Sequence, residues 1–214
     1  MKTKIRLTLN QYKMKTIFIT ILLTALILSC KAQSIIVPIG SGDTYENNPN
    51  YYIKDVNNEF NKFEGTWLYN ENNSEIILKL KKEVQYQVEP EGSYEDLLVG
   101  EYKYKYNNLE VVNTLNDFNN PSISGYAHNI SGGSFQRWLP DNCIDNSQPS
   151  EIKVWLIIDD PSNQYIEGRL ILRYVNENGV EKIQVCIYDE TVFSYGDNDR
   201  IAIPDGYYEF IKQN

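Results

Sequence analysis

The chain has 214 residues, 29 acidic and 20 basic, for a net charge of −9. Five of the 20 basic residues (Lys2, Lys4, Arg6, Lys13, Lys15) precede Cys30 and no acidic one does, so from Cys30 onward 15 basic residues face 29 acidic ones, a net charge of about −14. That balance argues against nucleic acid as a partner, because phosphate binding needs clustered Lys and Arg, and it leaves no polybasic stretch to hold an anionic membrane.

The N-terminus reads as an address rather than as part of the fold. After the basic start comes an apolar run, Ile17 to Leu28, interrupted only by Thr20 and Thr24. Its 12 residues fall short of the roughly 18 needed to span a bilayer and fit the apolar core of a signal peptide. Met14-Lys15-Thr16 is itself a good signal-peptide start, so Met1 and Met14 both stand as the start. Ile27-Leu28-Ser29-Cys30 resembles the lipobox of bacterial lipoproteins. The resemblance implies cleavage before Cys30 and a diacylglycerol on its thiol, since only a cysteine can form the thioether. Two or more acyl chains make such an anchor durable where one is marginal. The other reading is an ordinary signal peptide cut near Ala32, where the small-x-small pattern is poor. By the same analogy Lys31, with no acidic retention residue after Cys30, favours the outer membrane, on its periplasmic face rather than the cell surface.

Residues 30–62 read as a lipid-anchored flexible tether, with Asn47-Asn48-Pro49-Asn50 and Asn57-Asn58 giving little to bury. Ile35-Ile36-Val37 and Tyr51-Tyr52-Ile53 are apolar islands able to dock on a domain. From Phe63 the pattern is strand and turn. Strands are predicted over 63–69, 75–82, 84–88 and 97–106, the last with Tyr102, Tyr104 and Tyr106 on one face and Lys103 and Lys105 on the other. Asn107-Asn108 is a hairpin signal answered by 109–115. Residues 116–150 look irregular, with a short strand at 123–130. Strands follow at 152–158, 165–175 and 180–188, with shorter pieces in 200–212. No stretch after Leu28 shows helical periodicity, and there is no tandem repeat.

Short strands with tight turns imply an all-β fold, an antiparallel barrel or sandwich of about 8–10 strands, over residues 63–214. Phe63-Glu64-Gly65-Thr66-Trp67 is similar to the Gly-x-Trp start of lipocalin-like barrels, which implies a barrel with Trp67 closing one end. That segment, Leu78-Lys79-Leu80-Lys81-Lys82 and Leu98-Val99-Gly100-Glu101-Tyr102 together look like a family of uncharacterised lipoproteins from the Bacteroidetes. This resemblance would cover most of the mature chain and implies no activity.

Cys143 and Cys186 remain after Cys30, an even pair that an oxidising compartment would join, the alternative being two reduced buried thiols. His128 is the only histidine, so no His-based zinc site or triad can be assembled, and it reads as a solvated strand-end residue. There is no Gly-rich phosphate loop and no Gly-x-Ser-x-Gly elbow. Asp197-Asn198-Asp199 and the Asp141-Asn142, Asp145-Asn146 loop are oxygen-rich but lack calcium-loop spacing and read as turns. No metal and no cofactor is expected. Aromatic residues are the most suggestive feature: Trp67, Tyr102, Tyr104, Tyr106 and Trp138 are candidate ligand contacts, the tyrosine row reading otherwise as an aromatic ladder of the core. Two functions follow. One is a monomeric, non-catalytic barrel that holds a small apolar ligand, a glycan or an envelope protein. The other is a glycan-acting envelope enzyme built on a carboxylate pair.

Overall fold

The computed structural model describes residues 34–43, 46–137, 139, 143, 147–148, 150–162, 166–189 and 200–213, with isolated positions 15 and 18 before them. Residues 1–34 and 35–214 form separate units. The described part of the second unit holds eleven strands: β1 (Ile35–Pro38), β2 (Tyr51–Lys54), β3 (Gly65–Glu71), β4 (Ser74–Gln87), β5 (Tyr94–Tyr106), β6 (Leu109–Asn113), β7 (Ile130–Gln136), β8 (Lys153–Asp159), β9 (Glu167–Glu177), β10 (Val180–Asp189) and β11 (Gly206–Gln213). Short 3₁₀ turns occupy Glu59–Phe63, Leu115–Asn119 and Gly125–Ala127.

Eight strands close on themselves in the order β5-β4-β3-β11-β10-β9-β8-β7, all neighbours antiparallel, with β7 returning to β5 at Ile130↔Gly100. The result is an antiparallel barrel of the expected lipocalin-like kind. Period-two alternation decides which side chains enter it. Trp67 and Tyr69 of β3, Ile76, Leu78 and Leu80 of β4, and Leu98, Tyr102 and Tyr104 of β5 all join one buried cluster. Val154, Leu156 and Ile158 of β8 meet Leu170, Leu172, Ile183, Val185, Ile187 and Phe210 from β9–β11 in the same cluster. Gly100 of β5 lies too close to β4 for a side chain. A Cβ there would lie 2.1 Å from the Lys79 carbonyl oxygen.

Hairpin geometry follows from Asn and Gly. Asn72-Asn73, Asn107-Asn108 and Asn178-Gly179 all have positive φ at both positions, which makes the right-twisted two-residue turn. The first two turns mark one end of the barrel. The third marks the other, together with the β4–β5 connection and the start of β1.

Three expectations change. The predicted strands 75–82 and 84–88 are one strand, β4, interrupted by a bulge between Glu83 and Tyr86 with Gln85 at φ 55°. In place of the short strand expected at 123–130, residues 130–136 form β7 inside the segment read as irregular, because Gly132-Gly133 hides its alternation. Residues 35–62, read as flexible tether, belong to the domain instead. β1 pairs with β2, β2 pairs with β5, and Phe60 and Phe63 are wholly buried.

Two buried carboxylates explain that docking. Asp55 accepts backbone N–H bonds from Glu59 (2.8 Å) and Phe60 (3.0 Å), and Lys82 Nζ reaches it at 2.9 Å. Asp96 accepts from the Asp55 N–H, from the bulge N–H of Gln85 and from the Tyr52 hydroxyl at 2.5 Å. Burial and then Asp96 hold the Tyr52 phenol well above the ordinary tyrosine range. Each buried charge is thus paired or bonded, as burial requires.

Candidate functional site

Trp67, Tyr102 and Tyr104, three of the five aromatic candidates, are packed in the barrel core. Trp67 and Tyr102 have zero exposure, so no water-sized void touches either ring. Trp67 Nε1 donates to the Phe63 carbonyl at 2.7 Å, and Lys212 Nζ lies 5.3 Å over its ring. Tyr102 donates its hydroxyl to the Asp159 carbonyl at 3.1 Å, and burial first, then Asp160, pushes its ionisation far above the usual range. Tyr104 is also interior, at 4 %, whereas Tyr106 at the strand end is 49 % exposed. Tyr69 and Tyr208 meet edge to face at 4.9 Å, and burial raises Tyr208 to about 12. These tyrosines make an aromatic core, and among the described candidate contacts only Tyr106 presents an exposed ring. Trp138 and Cys30 lie outside the described residues, as do the two oxygen-rich loops.

Hollows among the described residues lie toward the β1 end of the barrel. A groove of about 260 Å³ runs between the Val37–Asp43 segment and residues of β5 and β7. Val37, Ile39, Ile53, Leu97 and Phe135 give it apolar walls, while Asp43, Glu95 and Ser134 supply acceptors. A second hollow, about 210 Å³, shares Pro38 to Ser41 and Phe135 with the first, so the loop after β1 separates the two. Tyr126 stands at the rim. Its hydroxyl donates to Glu95 Oε2 at 2.9 Å and its ring meets Tyr86 edge to face at 5.8 Å. Gly125, at φ +54°, makes that arrangement possible, since a Cβ would sit 2.2 Å from the Tyr86 ring. The β4 bulge carries Tyr86 into place, in keeping with the habit of bulges to aim side chains at sites.

A buried polar cluster holds down residues 115–129, the excursion between β6 and β7. His128 is not solvated, as its place in the sequence suggests, but 1 % exposed. Its Nδ1 lies 2.8 Å from Glu101 Oε1, and Nε2 lies 3.4 Å from Glu83 Oε1 without a hydrogen bond. Asn129 donates to the other Glu101 oxygen at 2.8 Å, and the Gly125 N–H to Glu83 at 2.6 Å. Glu101 points outward from β5 yet is fully buried, because the 115–129 excursion lies over it. Alternation alone assigns that face to solvent. The histidine resembles a triad member only in outline: no nucleophile accompanies it among these contacts.

Among cross-strand carboxylates, Asp159 and Glu167 stand directly opposite on β8 and β9. Burial first, then Glu167, raises the Asp159 carboxyl from 3.8 to about 6, with Arg169 opposing. Glu167 is exposed and paired with Arg169 at 3.2 Å, and neither Asp159 nor Glu167 lines the grooves above. No group of three or more His, Cys, Asp or Glu able to hold a metal occurs among the described residues. On the far outer face Cys143 and Cys186 are joined as a disulfide, Cα to Cα 5.8 Å, packed with Ile171, Leu139 and Trp155.

A family model described as a family of unknown function, DUF6705, matches residues 14–213. No curated protein matches the chain, and no solved structure does.

Proposed function

The chain belongs to DUF6705, and from that premise we propose that it is an exported envelope lipoprotein whose barrel is a non-catalytic binding or scaffold module. The observation that carries the binding half is the contrast between the closely packed Trp67 and Tyr102 and a walled groove beside β1, β5 and β7. Trp67 and Tyr102 leave no void around their rings in the barrel, and a groove with room for a ligand lies beside Tyr126 and Phe135. Apolar walls with a few acceptors suit a small, partly apolar ligand or a peptide edge of an envelope protein.

The envelope half rests on the first thirty residues. The 12-residue apolar run and Ile27-Leu28-Ser29-Cys30 both fall inside the matched region. Lys31 after the cysteine supports the outer membrane and its periplasmic face. Cys30→Ala is expected to move the protein from the membrane to the soluble fraction and to abolish radiolabelled palmitate incorporation. Continued labelling would overturn the anchor. For the binding half, native mass spectrometry of envelope-extracted protein reads retained ligand mass directly. Turnover of an envelope glycan by the purified protein would replace this reading with the enzymatic one, for which Asp159 and Glu167 are the first residues to alter.

A further inference from the structure

We infer that the domain rests on the bilayer through the β1 end of the barrel, with Ile35 and Ile36 entering the lipid interface. The inference rests on the lipid anchor at Cys30 and adds an orientation and a contact surface to it.

Length comes first. Strand β1 begins at Ile35, five residues after Cys30. Five residues reach at most about 17 Å when fully extended. β5 alone has 13 residues, which span on the order of 40 Å along the strand and, allowing for the tilt of barrel strands, roughly 30 Å along the barrel axis. The link from Cys30 to the barrel is therefore much shorter than the barrel, and the end where the chain enters is the end held at the membrane. The pairings identify that end. Ile35 pairs with Tyr51, and β2 runs parallel to β5 from Tyr52↔Tyr94, at the start of β5. The β9–β10 hairpin lies at this end too, and the hairpins at Asn72-Asn73 and Asn107-Asn108 lie at the other.

The surface at that end fits the partner. Ile35 and Ile36 are 51 % and 53 % exposed, two adjacent branched apolar side chains on an edge strand. Strand addition is the other common use of such an edge, and Pro38 blunts it by removing a backbone donor. Charge attraction does not supply the contact either. With 15 basic against 29 acidic residues after residue 29, the domain gains nothing from an anionic headgroup layer, so attachment beyond the acyl chains must be apolar.

The test uses the full lipidated protein in phosphatidylcholine vesicles, with Ile36→Trp as the reporter and Leu109→Trp, at a position 72 % exposed on the opposite end, as the control. Lipids brominated near the headgroup end of the acyl chain serve as quenchers. Quenching beyond that of the unsubstituted protein is expected to be at least twofold greater for Ile36→Trp than for Leu109→Trp. It should persist from about 0.1 to about 0.5 M salt, which screens charge but not apolar contact. Ile35→Trp repeats the measurement should Ile36→Trp fail to fold. Intact mass of the same sample reads the acyl chains independently. Absence of acyl mass overturns the anchor and the inference together. With acyl chains present, equal quenching at the two ends overturns the inference and leaves the anchor standing. A blue shift in the emission of the Ile36→Trp variant that depends on protein concentration and not on vesicles assigns the patch to a second copy, and also overturns it.

Discussion

Asp159 shows how one carboxyl sets a pH dependence. Burial and the facing Glu167 raise it from 3.8 to about 6. The folded state therefore holds this proton more tightly than the unfolded chain. Its contribution is complete below about pH 4 and is lost as pH rises through about 6. Each tenfold difference in proton affinity corresponds to about 1.4 kcal/mol, and partial solvation reduces the total loss to on the order of 1–2 kcal/mol. Asp159→Asn removes the charge and keeps the shape. It is expected to raise stability at about pH 7.5 by about 1 kcal/mol and to have little effect at about pH 4, read from urea midpoints at the two pH values. An equal gain at both would show that ionisation is not the cause. Asp159 also illustrates what a sequence leaves unread. One Asp among 29 acidic residues carries no mark of its facing partner until the register Asp159↔Glu167 is known.

At the scale of elements, two devices hold segments onto the outer barrel wall. Under the 115–129 excursion, Glu101 and His128 are both essentially unexposed and 2.8 Å apart. Removing one partner leaves the other buried without its hydrogen bond, which typically costs about 1–3 kcal/mol. Glu101→Leu is expected to destabilise by roughly 2 kcal/mol and to make the Pro121–Tyr126 region sensitive to limited proteolysis. A variant that melts like the parent and resists protease would show that the pair does not hold the excursion. On the opposite wall the Cys143–Cys186 bond spans 43 residues, a loop whose closure is worth about 4 kcal/mol on the chain-entropy account. Reduction is expected to lower stability by about 2–4 kcal/mol, and thiol titration of the native, unreduced domain should find neither Cys143 nor Cys186 free. Two free thiols in the native protein would exclude the bond. The two devices differ in legibility. An even pair of cysteines marks itself as a candidate bond in the sequence. His128 stands among Ser, Gly and Ala, and only the chain folding back over β5 makes its surroundings dry.

The barrel as a whole is closed at a narrow seam. β5 gives one long edge to β4 and divides the other among β2, β7 and β6. This division brings the N-terminal strands, the Tyr126 rim and the groove to one side of the molecule. It also makes the strands at 35–54 integral: Asp55 and Asp96 bond across the junction, and Phe60 and Phe63 enter the core. The domain's acidic excess gives an anionic bilayer no purchase, which is why the proposed attachment is apolar throughout, acyl chains at Cys30 with Ile35 and Ile36 beside them.

Strands β3, β5, β6 and β8 to β10 are legible in the sequence within a few residues, and β4 except for the bulge that makes it read as two, because period-two patterning and Asn or Gly turns are local properties of the chain. The all-β class follows from the same kind of local signal, and the proposed address at the N-terminus rests on it too. Long-range pairing decided the rest. β1 and β2 are four residues each and have no stability of their own, so they exist only where β5 offers an edge. Glu101 and His128 are buried because a distant segment covers an outward face, and Trp67 and Tyr102 are core rather than ligand contacts because eight strands close tightly around them. Patterning states which side of a strand is apolar. What lies against either side depends on contacts between residues far apart in sequence, and these are set only when the barrel closes.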